Sequence, residues 1–170
     1  MEIIFGNESL LDELDWKIIV ALQENARLSM AALGRKIGLS PPATTERVRR
    51  LEERKIIRGY RADIGLDRVG LAVQAIVRIK APGQGLDKTT RALCAFPEVF
   101  ECHRATGGDC FVLRVAASDI KELEGLLDRI AQFGDLTTSV ILSTPLRQKT
   151  VSNRPSHVPL TRKRFRSVGN

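Results

Sequence analysis

The sequence predicts an α+β protein in which an N-terminal winged helix-turn-helix precedes a C-terminal ferredoxin-like βαββαβ domain. Apolar residues recur at helical spacing as far as about residue 53, and after Leu71 they alternate along short segments bounded by glycine and proline. The later elements follow the order strand, helix, strand, strand, helix, strand, which is the split βαβ arrangement. A chain of 170 residues has room for two small domains.

Three helices are predicted in the first domain. Asp12 is placed to cap the first helix, which continues to about residue 25. Ser29 and Ser40 are N-cap candidates because a hydroxyl accepts from the unpaired amides of a first helical turn. Pro41 fits the first helical position, where no amide proton is needed, and Gly38 suits the left-handed conformation that ends a helix. This spacing is typical of a helix-turn-helix.

The third helix separates into two faces at about 100° per residue. A stripe of three residues is predicted to point inward: Thr44, Val48 and Leu51. The opposite face suits the DNA major groove, because arginine bonds guanine bidentately, glutamate accepts from cytosine and threonine reaches a base edge or a phosphate. The predicted DNA contacts of this helix and its cap are Ser40, Pro42, Thr45, Glu46, Arg47, Arg49 and Arg50. The alternative is a solvated helix in which Glu46 and Arg50 pair at i,i+4.

Charge distribution favours the DNA interface. The net charge is +7, and residues 27 to 61 carry ten basic and three acidic side chains. Basic segments of this kind fit a polyanion, because neutralising phosphates releases counterions. Residues 56 to 64 are β-prone and basic, and we interpret them as a wing strand plus linker that places Arg58 and Arg61 against phosphates. Double-stranded DNA is the expected partner.

Domain bounds follow from these patterns. We predict the DNA-binding domain at residues 10–60, a linker at 61–71, the ferredoxin-like regulatory and oligomerisation domain at 72–146, and a flexible basic tail at 147–170. The tail carries seven basic residues and no acidic residue. It either adds non-specific DNA affinity or is simply solvated.

Several classes of function are disfavoured. Cys94, Cys102 and Cys110 are too widely spaced to suggest a metal site, and we expect them to be reduced apolar side chains of a cytoplasmic protein. His103 and His157 have no evident nucleophile or paired carboxylate nearby, so an enzyme is not expected. No apolar run approaches the roughly 20 residues that span a bilayer, and no secretory signal is evident. We expect no cofactor and no membrane partner.

The second domain is predicted from strand alternation and helical spacing. Strands are predicted at 73–80, 99–105, 110–115 and 136–144. One helix is predicted at 86–96, and a longer second helix is predicted to begin after Ser118 and to be ended by Gly134. We expect Ser118 to cap the second of these helices, and its inward residues to be Ile120, Leu123, Leu127 and Ile130. Both helices cover one face of the sheet, so the alternating apolar residues of the other face favour pairing with a second copy in a homodimer.

Several short motifs, taken together, identify a family. They are LDELD at 11–15, GLSP at 38–41, ERVRRLE at 46–52 with IIRGY at 56–60, and TG at 106–107. Over residues 10 to 146 the chain resembles the Lrp/AsnC family of bacterial and archaeal transcription regulators. The resemblance implies a winged helix-turn-helix joined to a regulatory ferredoxin-like domain. It also implies dimers that often assemble into octamers and amino-acid effectors bound at interfaces near the hairpin.

The resemblance also implies effector-binding residues. In many members an acidic residue three positions after the hairpin glycine holds the ligand's amino group, but here that position is Cys110, with Asp109 one residue earlier. The amides of Gly107 and Gly108 can receive a carboxylate and Asp109 an ammonium group, while Ser139 lies where relatives supply a polar contact. The alternative is a tight glycine turn that binds no ligand.

The combined prediction is a sequence-specific, dimeric or higher-oligomeric DNA-binding transcription regulator that an amino acid modulates. The alternative is an effector-independent architectural protein that compacts DNA through oligomerisation and its basic tail. Deletion of residues 147–170 distinguishes them, because loss of most DNA affinity favours the architectural protein.

Overall fold

The computed structural model describes residues 11 to 82 and 85 to 153. These residues form two compact units: residues 11 to 61 with 148 to 153, and residues 62 to 147. The N-terminal leader, His157 and the tail beyond residue 153 lie outside the described residues. In the part of the chain that is described, no helix is long and apolar enough to cross a membrane.

The first unit contains the three predicted helices, α1 (Glu13–Glu24), α2 (Met30–Ile37) and α3 (Pro41–Glu53). All three predicted N-caps are confirmed. The Asp12 carboxylate accepts from the Asp15 amide at 2.8 Å, and the Ser29 and Ser40 hydroxyls accept from the Ala32 and Ala43 amides. Gly38 ends α2 at φ 81° in the left-handed region, as predicted.

The inward stripe of α3 is confirmed, since Thr44, Val48 and Leu51 are all buried. Val48 and Leu51 pack with residues of α1 and α2 that include Ile18 and Leu33. Burial of each such side chain favours folding by about 1.5 to 3 kcal/mol. The Thr44 hydroxyl donates to the Ser40 carbonyl at 2.9 Å, so this buried polar group is satisfied. The stripe therefore holds the opposite face of α3 outward.

The segment that follows α3 does not form the predicted wing strand, so this prediction is wrong. No strand lies between Arg54 and the 3-10 helix Leu66–Val69. The amides of Ile56 and Ile57 instead donate to the Leu51 carbonyl at 3.0 and 3.1 Å, and both side chains pack on the three-helix core. Amides that are occupied at the end of a helix cannot join a β-ladder, and no described strand in this unit offers a partner.

The second unit confirms the βαββαβ order. Its elements are β1 (Val73–Lys80), α4 (Leu86–Cys94), β2 (Val99–Arg104), β3 (Phe111–Ala117), α5 (Ile120–Ile130), a 3-10 turn (Ala131–Phe133) and β4 (Asp135–Val140). The strands form one antiparallel sheet in the order β2-β3-β1-β4. Alternate residues of β1 and β3 are buried with apolar residues of α4 and α5, and they include Val77, Ile79, Leu113 and Leu126.

The other sheet face carries both apolar and charged side chains. Ile76 and Val112 are partly buried there, beside the more polar Arg78, Arg114 and His103. A face of this mixed composition does not by itself indicate pairing with a second copy, so the homodimer stays a prediction.

Three local predictions in this unit are wrong. The cap of α5 is Asp119, whose carboxylate accepts from the Glu122 amide at 2.8 Å, whereas Ser118 lies one residue earlier. Ile120 is 61% exposed because it occupies the first turn, and Leu126 is fully buried in the core. The last strand ends at Val140 instead of residue 144, although the Ile141 amide still donates to the Gln74 carbonyl at 2.8 Å.

Candidate nucleic-acid interface and ligand site

The outward face of α3 presents most of the predicted DNA contacts to solvent. Six of them are exposed: Ser40, Pro42, Thr45, Glu46, Arg49 and Arg50. Two of the hydroxyls also serve the helix itself, since Thr45 donates to the Pro41 carbonyl at 2.9 Å and Ser40 is the N-cap. Each hydroxyl oxygen keeps further acceptor capacity for a base or a water molecule.

Arg49 is held between two carboxylates on this face. Its guanidinium donates to both oxygens of Glu46, at 2.6 and 3.0 Å, and also to Glu53. These hydrogen bonds raise the pKa of Arg49 and lower the pKa of Glu46. The predicted alternative pair of Glu46 with Arg50 does not form among the described residues, where Arg50 has no ion pair. Arg50 is therefore the cation of this face that is available for a base or phosphate without breaking a contact.

Arg47 has a different environment from its neighbours. Its guanidinium donates to Asp12 at 2.6 Å and to Asp15 at 2.8 Å, and its side chain is 25% exposed. These contacts favour a role inside the three-helix domain over the predicted DNA contact. The sequence pattern missed the pair because its members are 35 and 32 residues apart.

The segment after α3 is fixed by a contact that the sequence did not reveal. The Tyr60 hydroxyl donates to Glu52 at 2.8 Å. Partial burial, together with this bond to a carboxylate, raises the pKa of Tyr60 to about 12. Arg58 and Arg61 flank this tyrosine and are exposed, and neither forms an ion pair within the described residues. Both remain free to approach phosphates.

The predicted effector hairpin joins β2 to β3. Gly107 adopts φ 108°, a conformation that side chains rarely tolerate, and the Ala105 amide closes the hairpin on the Cys110 carbonyl at 3.1 Å. The Asp109 carboxylate lies 4.0 Å from the Arg78 guanidinium of β1. Asp109 is half-buried and keeps acceptor capacity for an ammonium group.

Cys110 is engaged by the backbone of β1 and the residue that follows it. Its amide donates to the Ile79 carbonyl at 2.8 Å, and its thiol donates to the Ala81 carbonyl at 3.3 Å. The side chain also packs against the core of this unit. These contacts explain a cysteine at this position without a ligand.

Ser139 lies apart from the hairpin. It pairs with Ile76 across β1 and β4, whereas β3 begins opposite Ile79. Three residues along a strand correspond to about 10 Å. One copy of the chain therefore does not bring Ser139 into contact with the predicted hairpin residues. No cluster of His, Cys, Asp and Glu suited to a metal ion occurs in the described ranges.

The two units have recognisable counterparts in known proteins. Residues 11–52 match the AsnC-type helix-turn-helix domain, and residues 74–151 match the Lrp/AsnC ligand-binding domain. These matches coincide with the helical unit and with the sheet unit described above. They define a DNA-binding domain followed by a ligand-binding domain, the organisation of a transcriptional regulator.

Known transcriptional regulators are similar to this chain over most of their length. The chain is 35% identical over 133 residues to the HTH-type transcriptional regulator LrpC of Bacillus subtilis, covering 78% of this chain and 92% of LrpC. It is 33% identical over 139 residues to the leucine-responsive regulatory protein of Haemophilus influenzae, covering 78% of this chain and 84% of that protein. The protein belongs to the Lrp/AsnC family of transcriptional regulators.

Solved structures agree with this assignment. The structure of B. subtilis LrpC superposes with a TM-score of 0.77 at 34% identity, over 82% of this chain and 99% of that one. A transcriptional regulator from Neisseria meningitidis, solved as a complex with L-Met, has a TM-score of 0.76 at 28% identity, over 83% of this chain and 96% of that one. The predicted family is confirmed, and so is the fold class of a helix-turn-helix domain followed by an α+β domain, apart from the wing strand.

Proposed function

We propose that this regulator reads a specific DNA sequence with α3 and that a small amino acid bound by the second unit modulates it. The observation that carries the first part is the outward face of α3, where Arg50 is exposed and without an ion pair among the described residues. The buried stripe on the other side of the helix supports this proposal, because it leaves the opposite side chains exposed to solvent. Arg58 and Arg61 extend this positive surface beyond the helix.

Arg49 and Arg50 have distinct roles in this proposal. Arg50 reads a base edge or a phosphate directly, because it has no ion-pair partner to exchange among the described residues. Arg49 must leave Glu46 or Glu53, or bind DNA together with Glu46 as a paired unit. An exposed ion pair contributes little to stability, so its exchange for a guanine costs little. Both arginines can therefore contribute to specificity.

The test compares Arg50→Ala with Arg91→Ala. Arg91 is an exposed residue of α4 in the other unit, so the two variants lose the same charge. We expect Arg50→Ala to lose about 1 to 3 kcal/mol of operator affinity and to discriminate less between bases at one position. Binding to operator and mutated operators by fluorescence anisotropy measures both effects. Unchanged operator affinity in Arg50→Ala would remove α3 from the interface as proposed.

The second part of the proposal concerns the hairpin. The amides of Gly107 and Gly108 are candidates for a carboxylate and Asp109 for an ammonium group, which are the two charged groups of a free amino acid. The ligand-binding-domain match and the L-Met complex of the Neisseria relative support this ligand class. Ser139 lies too far along the sheet to join them in one copy, which favours a site completed by a second copy. We therefore propose at least a homodimer.

Calorimetric titration with each natural amino acid tests this ligand site. We expect at least one to bind, and Asp109→Asn to weaken it by about 10-fold to 100-fold, because a hydrogen bond to a charged group contributes about 1.5 to 3 kcal/mol. Asp128→Asn removes an exposed carboxylate from α5 and serves as the control. Absence of binding by every amino acid would contradict the effector role and leave the DNA-binding proposal standing.

A further inference from the structure

The N-terminus of α1 is a reciprocal capping box. Asp12 accepts from the Asp15 amide at 2.8 Å, and Asp15 accepts in turn from the Asp12 amide at 3.3 Å. These bonds use one oxygen of each carboxylate and leave the other available. The box therefore concentrates two negative charges at the start of α1, where they interact favourably with the helix dipole.

Arg47 of α3 occupies the remaining oxygens of this box. One guanidinium nitrogen donates to Asp12 Oδ2 at 2.6 Å and to Asp15 Oδ1 at 2.8 Å. The Asp15 side chain is only 12% exposed, so its contact with Arg47 is shielded from solvent more than an ordinary surface pair. The same bonds to the capping box and to Arg47 lower the pKa of Asp12.

The arrangement links α3 to the N-terminus of α1, since Arg47 and Asp12 are 35 residues apart in the chain. The apolar stripe of α3 determines which side of the helix is buried, but hydrophobic burial is non-directional and constrains small rotations and sliding of the helix only weakly. Charge-assisted hydrogen bonds from a flank of α3 supply the direction that apolar packing lacks. Arg50 differs in having no ion pair among the described residues.

We propose that Arg47 is a positioning residue, which sets the orientation of α3 in the DNA groove through the α1 capping box instead of contacting DNA. The inference rests on the proposed DNA-reading role of α3. One arginine of a basic helix is thereby assigned to contacts within the domain instead of contacts with DNA. It also gives the capping-box carboxylates a part in operator recognition, although their charge repels DNA.

That repulsion makes the sign of one substitution diagnostic. By charge alone, removal of an acidic side chain from a DNA-binding domain raises DNA affinity. If Asp12 positions α3 through Arg47, its neutralisation lowers operator affinity instead. Asp12→Asn is the suitable variant because asparagine caps a helix about as well as aspartate, so the capping bond is kept. The variant loses the ion pair of Asp12 with Arg47 and keeps that of Asp15.

The experiment measures operator and scrambled-DNA binding over a salt series for wild type, Asp12→Asn, Arg47→Gln and the double variant. Glu13→Gln is the matched control, since it removes one exposed carboxylate at the adjacent position. Thermal unfolding followed by circular dichroism identifies a temperature at which every variant is folded, and binding is measured at that temperature. If Arg47→Gln is unfolded throughout, Asp12→Asn and its control carry the test.

We expect Arg47→Gln to lower operator affinity on the order of tenfold, because a displaced helix misaligns its base contacts. Asp12→Asn should lower it by less, because Asp15 still pairs with Arg47 in that variant. Binding to scrambled DNA and the salt slope stay near the wild-type values. The double variant is no weaker than Arg47→Gln, since both changes break the same contact. Glu13→Gln binds both DNAs equally well or slightly more tightly.

Three results would overturn the proposal. The first is a rise in operator affinity for Asp12→Asn that equals the rise for Glu13→Gln. The second is a fall of about one in the slope of log affinity against log salt concentration for Arg47→Gln. The third is a double variant whose change in affinity is the sum of two single changes of opposite sign. The first and third show that Arg47 does not act through Asp12, and the second makes Arg47 a phosphate contact. Failure of the wild type itself to prefer its operator refutes the proposed function instead, so the two failures are distinguishable.

Discussion

Gly34 lies where α2 packs against the turn before α3, and this packing predicts that Gly34→Ala lowers the stability of the first unit. A Cβ atom at this position would lie 2.6 Å from the Leu39 carbonyl oxygen and 2.8 Å from the Thr44 hydroxyl. Neither neighbour is a flexible side-chain end, because Leu39 contributes backbone and the Thr44 hydroxyl is bonded to the Ser40 carbonyl. Gly34→Ala must therefore displace the turn or the start of α3.

Two opposing effects determine the size of the change. Overpacking a close contact costs about 1 to 3 kcal/mol, whereas alanine in place of glycine inside a helix gains about 1 kcal/mol. Because the contact is with backbone, we take the upper part of the first range and expect a net loss of about 1 to 2 kcal/mol. Gly125 in α5 has open space around it, so Gly125→Ala should be stabilising by about 0.5 to 1 kcal/mol.

The assay is thermal unfolding, followed by circular dichroism and by the fluorescence of Trp16, the only tryptophan of the chain, which lies in α1. A change of 1 kcal/mol shifts the Tm of a domain of 60 to 100 residues by about 4 to 8 °C. Gly34→Ala should lower the midpoint reported by Trp16, and Gly125→Ala should not. The reasoning is refuted if Gly34→Ala leaves that midpoint unchanged or raises it.

Two further predictions concern a helix cap and a tyrosine. Asp119→Ala should cost about 1 kcal/mol of unfolding free energy by removing the α5 cap, and Ser118→Ala less; equal losses in urea denaturation would contradict the cap assignment. Absorbance titration of Tyr60, the only tyrosine, should give a pKa of about 12, and Glu52→Gln should bring it nearer the usual 10. Because the folded pKa is raised, this group's stabilising contribution is complete below pH 10 and is lost as pH rises through 12.

Local chemistry explains which parts of the fold the sequence predicted well. The caps of α1, α2 and α3 depend on contacts within three residues, and the buried stripe of α3 follows from helical periodicity. The errors occur where a shift of one residue changes whether a side chain is buried, or where a contact with another part of the fold determines the local structure. Ile120 fits the helical period but lies in the first turn of α5, where it is exposed. The Ile56 amide donates to a carbonyl at the end of α3, so it is not available to a strand.

The candidate site divides in the same way. The exposure of Arg49 and Arg50 was predictable, because the periodicity of the buried stripe of α3 determines which residues lie on its outer face. It did not separate Arg47 from them, since the partners of Arg47 lie on α1 and come close only in the folded domain. The same limit applies to Ser139, whose distance from the hairpin depends on strand register.

The most direct test of specific, effector-tuned regulation is a titration of the purified protein with the DNA upstream of its own gene and with scrambled DNA. The titration covers a salt series, with and without a mixture of amino acids. The account predicts a clear preference for the upstream DNA, and a shift of that preference when amino acids are added. Equal binding to both DNAs, with a steep dependence on salt, would contradict specific regulation at that site and favour an architectural role.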